Sequence, residues 1–188
     1  MDYSDSAKYF FFRLILLFGT NAAGVLLGKM LPWCLSNLLP ASLGAVKQAL
    51  VSDALCSMAA AAVMILLLGF VFHDDARRHA AYDNMDAVPV AVVLILMLVF
   101  YFVPVVFYDP MDISRAGETL YGMLYFPTKW LREIAGMDIK TAAALGMAMI
   151  LGIQMMIYQV TYSAYKRKHP FLFLHENSGE NGTDESIV

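Results

Sequence analysis

The chain has 188 residues, of which 60% are hydrophobic and 15% charged, with a net charge of −3. Soluble domains carry roughly 45–50% apolar and about 25% charged residues, so this balance belongs to a membrane protein and argues against a soluble catalytic domain. The small, dispersed charge leaves no electrostatic footprint for nucleic acid, and two cysteines without C-x-x-C spacing exclude a disulfide framework and a four-helix thiol oxidoreductase.

Four apolar stretches carry no charge, residues 14–28, 54–72, 87–108 and 141–165, of 15, 19, 22 and 25 residues; residues 30–46 are also uncharged but are broken by Pro32, Ser36, Asn37 and Pro40. About 20 apolar residues at ~1.5 Å rise cross the ~30 Å hydrocarbon core of a bilayer. The expected fold is therefore an all-α integral membrane protein. It is a four-transmembrane-helix bundle with short interfacial amphipathic helices, one membrane domain over residues 1–168 with spans at about 9–31, 48–72, 87–108 and 141–165.

The first span is flanked by Arg13 and Lys29, whose long stems can snorkel to the headgroups. Phe10 to Phe12 before it and Trp33 after it suit the two aromatic belts, and Pro32 is expected to close the helix. The head sets Asp2 and Asp5 against Lys8, unlike the basic start of a secretory signal, so the segment reads as a retained span. Between residues 32 and 50, Leu35, Leu39, Leu43, Val46 and Leu50 recur at helical spacing, which predicts a short interfacial helix before the second span.

Residues 73–86 read as a solvated polar connection. His73, Asp74, Asp75 and His79 invite a metal reading, but the two histidines are six apart and Arg77 and Arg78 oppose a cation. After the third span, the loop over 109–140 carries an apolar stripe of Leu120, Leu124, Leu131 and Ile134. Thr128 is placed to cap a helix ending at Gly136, which would lie on the membrane surface or lid the bundle. Lys166, Arg167 and Lys168 end the fourth span, and the acidic tail over 169–188 reads as disordered. The compact basic clusters at Arg77-Arg78 and 166–168 place both termini in the cytoplasm of a cell-membrane protein, against a nearly balanced count of seven and six basic residues on the two sides.

No ionisable residue lies near the middle of an expected span, which argues against a proton-driven pump. Asp53, at the start of the second span, is expected to be solvated or paired with Lys47 or Lys29. Two neutral amides sit at mid-depth, Asn21 and Gln154, and an amide in hydrocarbon must find a partner. They are the candidate intramembrane polar contacts and are expected to meet each other. Ala144, Ala148 and Gly152 recur at four-residue spacing and form the candidate helix-packing face, against the first span or against another chain.

Nothing in the sequence assembles a catalytic, metal or cofactor site. The expected function is a non-enzymatic accessory or structural subunit that docks to another membrane protein or to itself within the lipid bilayer. The alternative is a small-molecule permease or channel component with Asn21, Gln154 and Tyr101 as neutral pore ligands. A lipid-modifying enzyme comes third and would need Asp53, Asp109, Asp112 and Arg115 to converge. A filled centre with an exposed groove of small residues favours the first, and a hydrated cavity at the midplane the second.

Overall fold

A computed structural model of the chain describes residues 3–81, 87–106 and 122–168. The described residues form helices and the short turns between them. Helices α1 (Tyr3–Leu38), α2 (Gly44–Leu50), α3 (Asp53–Ala81), α4 (Ala87–Val106), α5 (Lys129–Ala135) and α6 (Ile139–Lys168) follow in that order. Three segments are long and apolar enough to cross a membrane: Phe10–Leu38, Asp53–Ala81 and Ile139–Lys168. A shorter apolar stretch, Val90–Val103, lies on α4.

Three boundaries differ from the sequence expectation. The first helix does not stop at Pro32 but runs on to Leu38. A proline inside a helix takes the N–H partner from one carbonyl, and the turn beyond can still form. Here the Ser36 hydroxyl donates to the Trp33 carbonyl at 2.7 Å within that last stretch. What ends the helix is Pro40, extended at φ −65° and ψ 154°, which disfavours helix in the residue before it.

The second difference is that the connection expected over 73–86 is helical as far as Ala81. No glycine or proline interrupts it, and Asp74 and Arg78 pair across one turn at 2.8 Å. The span expected at 48–72 thus begins at Asp53, behind a Ser52 cap whose hydroxyl accepts from the Leu55 N–H at 3.4 Å. Ahead of it lie a 3-10 turn at Ala41–Leu43 and α2, neither with a buried residue. Thirdly, the last helix reaches from Ile139 to Lys168, with its basic triplet against the C-terminal end of the dipole.

Helix α3 is the central element, packed along α1 on one side and α6 on the other, while α4 leans on α6 and touches α1. The approach of α1 to α3 depends on glycine. A Cβ added at Gly28 would lie 2.6 Å from the backbone of Ala60, and one at Gly24 would lie 2.9 Å from the Ala60 carbonyl oxygen. Two small residues four apart on one helix face thus let two backbones touch, the close-packing pattern of membrane helices. The centre is solid, with Leu17, Met64, Leu68, Met97 and Met147 all at 0% exposure. Around this core a wide apolar surface remains, including Ile15, Leu66, Phe70 and Val160, each more than 60% exposed. Single exposed apolar residues are ordinary, but a belt of them fits a lipid environment.

Candidate functional site

Residues 122–128 make one helical turn and then a 3-10 turn, Phe126–Thr128, before α5. The segment lids the bundle from within: Tyr125, Phe126, Pro127 and Thr128 are all buried. Buried backbone of this kind has to be satisfied by protein. The Leu124 carbonyl accepts from two helices at once, from Asn21 Nδ2 of α1 at 2.8 Å and from the Tyr101 hydroxyl of α4 at 2.6 Å. The Ser57 hydroxyl of α3 donates to the Phe126 carbonyl at 2.6 Å and accepts from the Trp130 N–H at 2.9 Å. Thr128, expected as a cap, instead turns its hydroxyl back to the Tyr125 carbonyl at 2.9 Å. The helix stop at Gly136 does form, in the left-handed conformation at φ 65° that a glycine adopts without strain.

Asn21 is therefore buried as a backbone anchor, and Gln154 has a different partner. Its amide nitrogen lies 3.3 Å from the carbonyls of Ile65, on α3, and Ile150, one turn back on α6. Among the described residues no hydrogen bond joins the two amides, because α3 stands between α1 and α6. Gln154 fastens α6 to α3, and its Oε1 is buried without a hydrogen-bond partner. Tyr101, the third neutral pore ligand of the permease reading, spends its hydroxyl on the Leu124 carbonyl.

The small-residue face lies on the outside. Ala148 and Gly152 are exposed and Ala144 half-buried, and a Cβ added at Gly152 would meet nothing within 4 Å. Ala144 and Ala148 line a groove of about 680 Å³ between α4 and α6, walled by Leu98, Phe102 and Leu145. The first span does not fill it. Gly146, on another face, does meet a partner, since a Cβ there would come within 2.6 Å of the Thr128 side chain.

Charge is confined to two levels of α3. At its start Asp53 pairs with Lys129, not with Lys47 or Lys29, and Lys129 also reaches Glu133 at 3.9 Å. Near its end Asp75 takes both oxygens to Arg13 Nη2 at 2.5 Å, with the two side chains 8% and 10% exposed. Neither is a snorkelling or solvated group as the sequence suggested. The two aspartates are 22 positions apart on α3, a rise of about 33 Å, close to the thickness of a hydrocarbon core. Beside the inner pair, His73 Nδ1 meets the Thr161 hydroxyl at 2.9 Å and His79 Nδ1 the Tyr158 hydroxyl at 2.7 Å. These side chains hold α1, α3 and α6 together and do not converge on a metal, and no group of metal-ligating residues occurs among the described residues. Cys34 is exposed, Cys56 is buried, and both are free. The carboxylates Asp109 and Asp112 and their partner Arg115 lie outside the described residues, as does the tail over 169–188.

The Gly24/Gly28 contact was the feature most open to discovery in the sequence, because the two glycines stand in the small-x-x-x-small pattern also read at Ala144. The Arg13–Asp75 pair had no local signature. Comparison with known proteins adds no assignment: no protein-family model matches the chain, and neither the curated proteins nor the solved structures give a match.

Proposed function

We propose that this chain is a multi-pass protein of the cell membrane that crosses the bilayer four times with both termini in the cytoplasm. Its role is that of a non-enzymatic accessory or structural subunit that seats a transmembrane helix of another membrane protein between α4 and α6. The observation that carries this reading is the outward face of Ala144, Ala148 and Gly152 beside an open groove of about 680 Å³. Small residues allow a second backbone to come close, the main source of helix association where lipid removes the hydrophobic drive. The same spacing at Gly24 and Gly28 is already used in this way inside the molecule.

The packed centre speaks for a subunit over a permease, because Leu17, Met64, Leu68, Met97 and Met147 fill it and are fully buried. Asn21 Nδ2 and the Tyr101 hydroxyl both donate to the Leu124 backbone carbonyl. The four-crossing arrangement draws support from α4, whose 20 residues would rise about 30 Å. The test is a photo-crosslinker placed at Ala148 and, as a control, at the exposed Leu66 on α3, in cells. Adducts to one membrane protein from Ala148 and not from Leu66, lost in Ala148→Leu, are the expected result. A dimer of the chain with itself would change the partner, and adducts to lipid alone would end the reading.

A further inference from the structure

We propose that the trough between α1 and the segment inserted over the bundle, residues 122–128, holds an acyl chain of an anionic phospholipid, with Lys29 taking its headgroup phosphate. The trough is about 550 Å³ and lies on a different side of the bundle from the α4–α6 groove. That size falls in the range of small-molecule sites, which pair an apolar lining with a few polar groups that fix orientation. Val25 and Leu26 on α1 face Met123 and Leu124 on the inserted segment, with Phe18 at the far end from Lys29. Long flexible side chains of this sort mould to a hydrocarbon chain. They would hold a second helix backbone at a distance, whereas the alanines of the other groove admit one.

Lys29 supplies the charge. Its ammonium lies 4.7 Å from the centroid of the Phe126 ring, and among the described residues no carboxylate pairs with it. Lys129, at the same end of the bundle, is by contrast taken up by Asp53 and Glu133. A ring face attracts the cation but leaves its N–H donors without a full acceptor. Depth fits as well. The neighbouring Gly28 meets Ala60, seven residues along α3 from Asp53, or about 10 Å inside the level of the Asp53–Lys129 pair. From there the lysine stem can run outward to headgroup level while the trough continues inward beneath it. Trp33, one turn further out on α1 and 58% exposed, sits where an interfacial indole belongs. At the other groove, Lys140 follows Asp138, whose carboxylate offsets its attraction for an anion.

The full chain, reconstituted into phosphatidylcholine vesicles that contain a minority of phosphatidylglycerol, is extracted in mild detergent, and the retained lipid is identified by native mass spectrometry. Phosphatidylglycerol should be retained over phosphatidylcholine. Lys29→Ala should weaken that preference about fivefold, the factor one lysine near an anionic surface contributes, while Lys29→Arg and Lys140→Ala preserve it. Ala22→Phe, which fills the trough from a side chain already exposed in it, should lower retention of both lipids. Equal retention of the two lipids by the wild type, or an unchanged preference in Lys29→Ala, overturns the proposal. So does a crosslinker at Ala22 that labels only protein in cells. Because the measurement is made on lipid with no second protein present, its failure would leave the proposed docking at Ala148 standing.

Discussion

Arg13 and Asp75 are separated by 62 residues of chain and meet as a buried ion pair between α1 and α3. Together with Asp53 and Lys129 at the opposite end of α3, they bound an interior built on a large apolar cluster. An ion pair at that depth does not stabilise a fold by its attraction alone, since removing both charges from water costs several kcal/mol per ion. What it does is fix the register of α1 on α3, because any slip along the helices leaves two charges facing apolar surface.

Removing one partner should therefore cost more than removing both. Asp75→Asn leaves the guanidinium buried beside a neutral amide and should destabilise by about 3 kcal/mol, the lower end of what breaking a buried pair costs. The double variant Arg13→Leu with Asp75→Leu should recover a large part of that loss. Unfolding in detergent micelles, analysed as a double-mutant cycle, measures the coupling. A double variant that lost the sum of the two single losses would mean that the pair is worth no more than surface charge.

How much of this was legible in the sequence follows the range of the interactions. Helices and their lengths rest on local hydropathy, and the apolar stretches at 54–72 and 141–165 lie inside α3 and α6. Helix ends were less legible where a tertiary partner decides them. His73 to Ala81 read as a polar loop because the partners that hold it, Arg13 for the buried Asp75, Thr161 for His73 and Tyr158 for His79, are all distant in sequence. Asn21 was recognisable as a buried amide by its depth, but its partner is a backbone carbonyl 103 residues away, and no side-chain pattern announces a carbonyl. The outward face of Ala144, Ala148 and Gly152 was visible as a stripe, while the side on which it lies depends on α3 keeping α1 and α6 apart.

The glycines of α1 should separate sharply on substitution. Gly28→Leu has no room, since even the first carbon would fall 2.6 Å from three atoms of Ala60, all of them backbone or Cβ. A loss at or above the usual overpacking range of about 1–3 kcal/mol is expected, because a backbone cannot rotate away as a side-chain end can. Gly19→Ala, with nothing within 4 Å, should be neutral or gain up to about 1 kcal/mol from helix propensity. Gly152→Ala should likewise leave the isolated protein unchanged in thermal unfolding. If Gly28→Leu melts with the wild type, α1 does not pack on α3 through this face.

The shared carbonyl of Leu124 predicts that Asn21 and Tyr101 are not independent. Either Asn21→Leu or Tyr101→Phe leaves one donor on that oxygen, so each alone should cost about 0.6–2 kcal/mol, the range for a hydrogen bond between membrane helices. With both removed the carbonyl has lost both donors, and the double variant should lose about 1–3 kcal/mol beyond the sum. Amide exchange over residues 122–128 should report the loss first, because that turn is held in place by these bonds and by Ser57. Strict additivity would show that the two donors act independently, and no loss from either would show that the segment is held by packing alone.

Asp138 gives the start of α6 a dependence on pH whose sign can be worked out. Its carboxylate accepts from the Thr141 N–H at 3.0 Å and the Lys140 N–H at 3.1 Å, capping the first turn. The Thr141 hydroxyl, then its N–H, hold the Asp138 carboxyl below its ordinary value of 3.8. A carboxyl whose pKa is depressed on folding favours the folded form at every pH above the ordinary value. That contribution falls away as acid is added through the lower folded value. Asp138→Ala should therefore speed amide exchange at Lys140 and Thr141 at neutral pH, and by less once the wild-type carboxyl is protonated. Asp138→Asn, which keeps an acceptor oxygen, should retain most of the protection at both extremes. A difference between Asp138→Ala and the wild type that grew on acidification would reverse the sign and remove the cap as its cause.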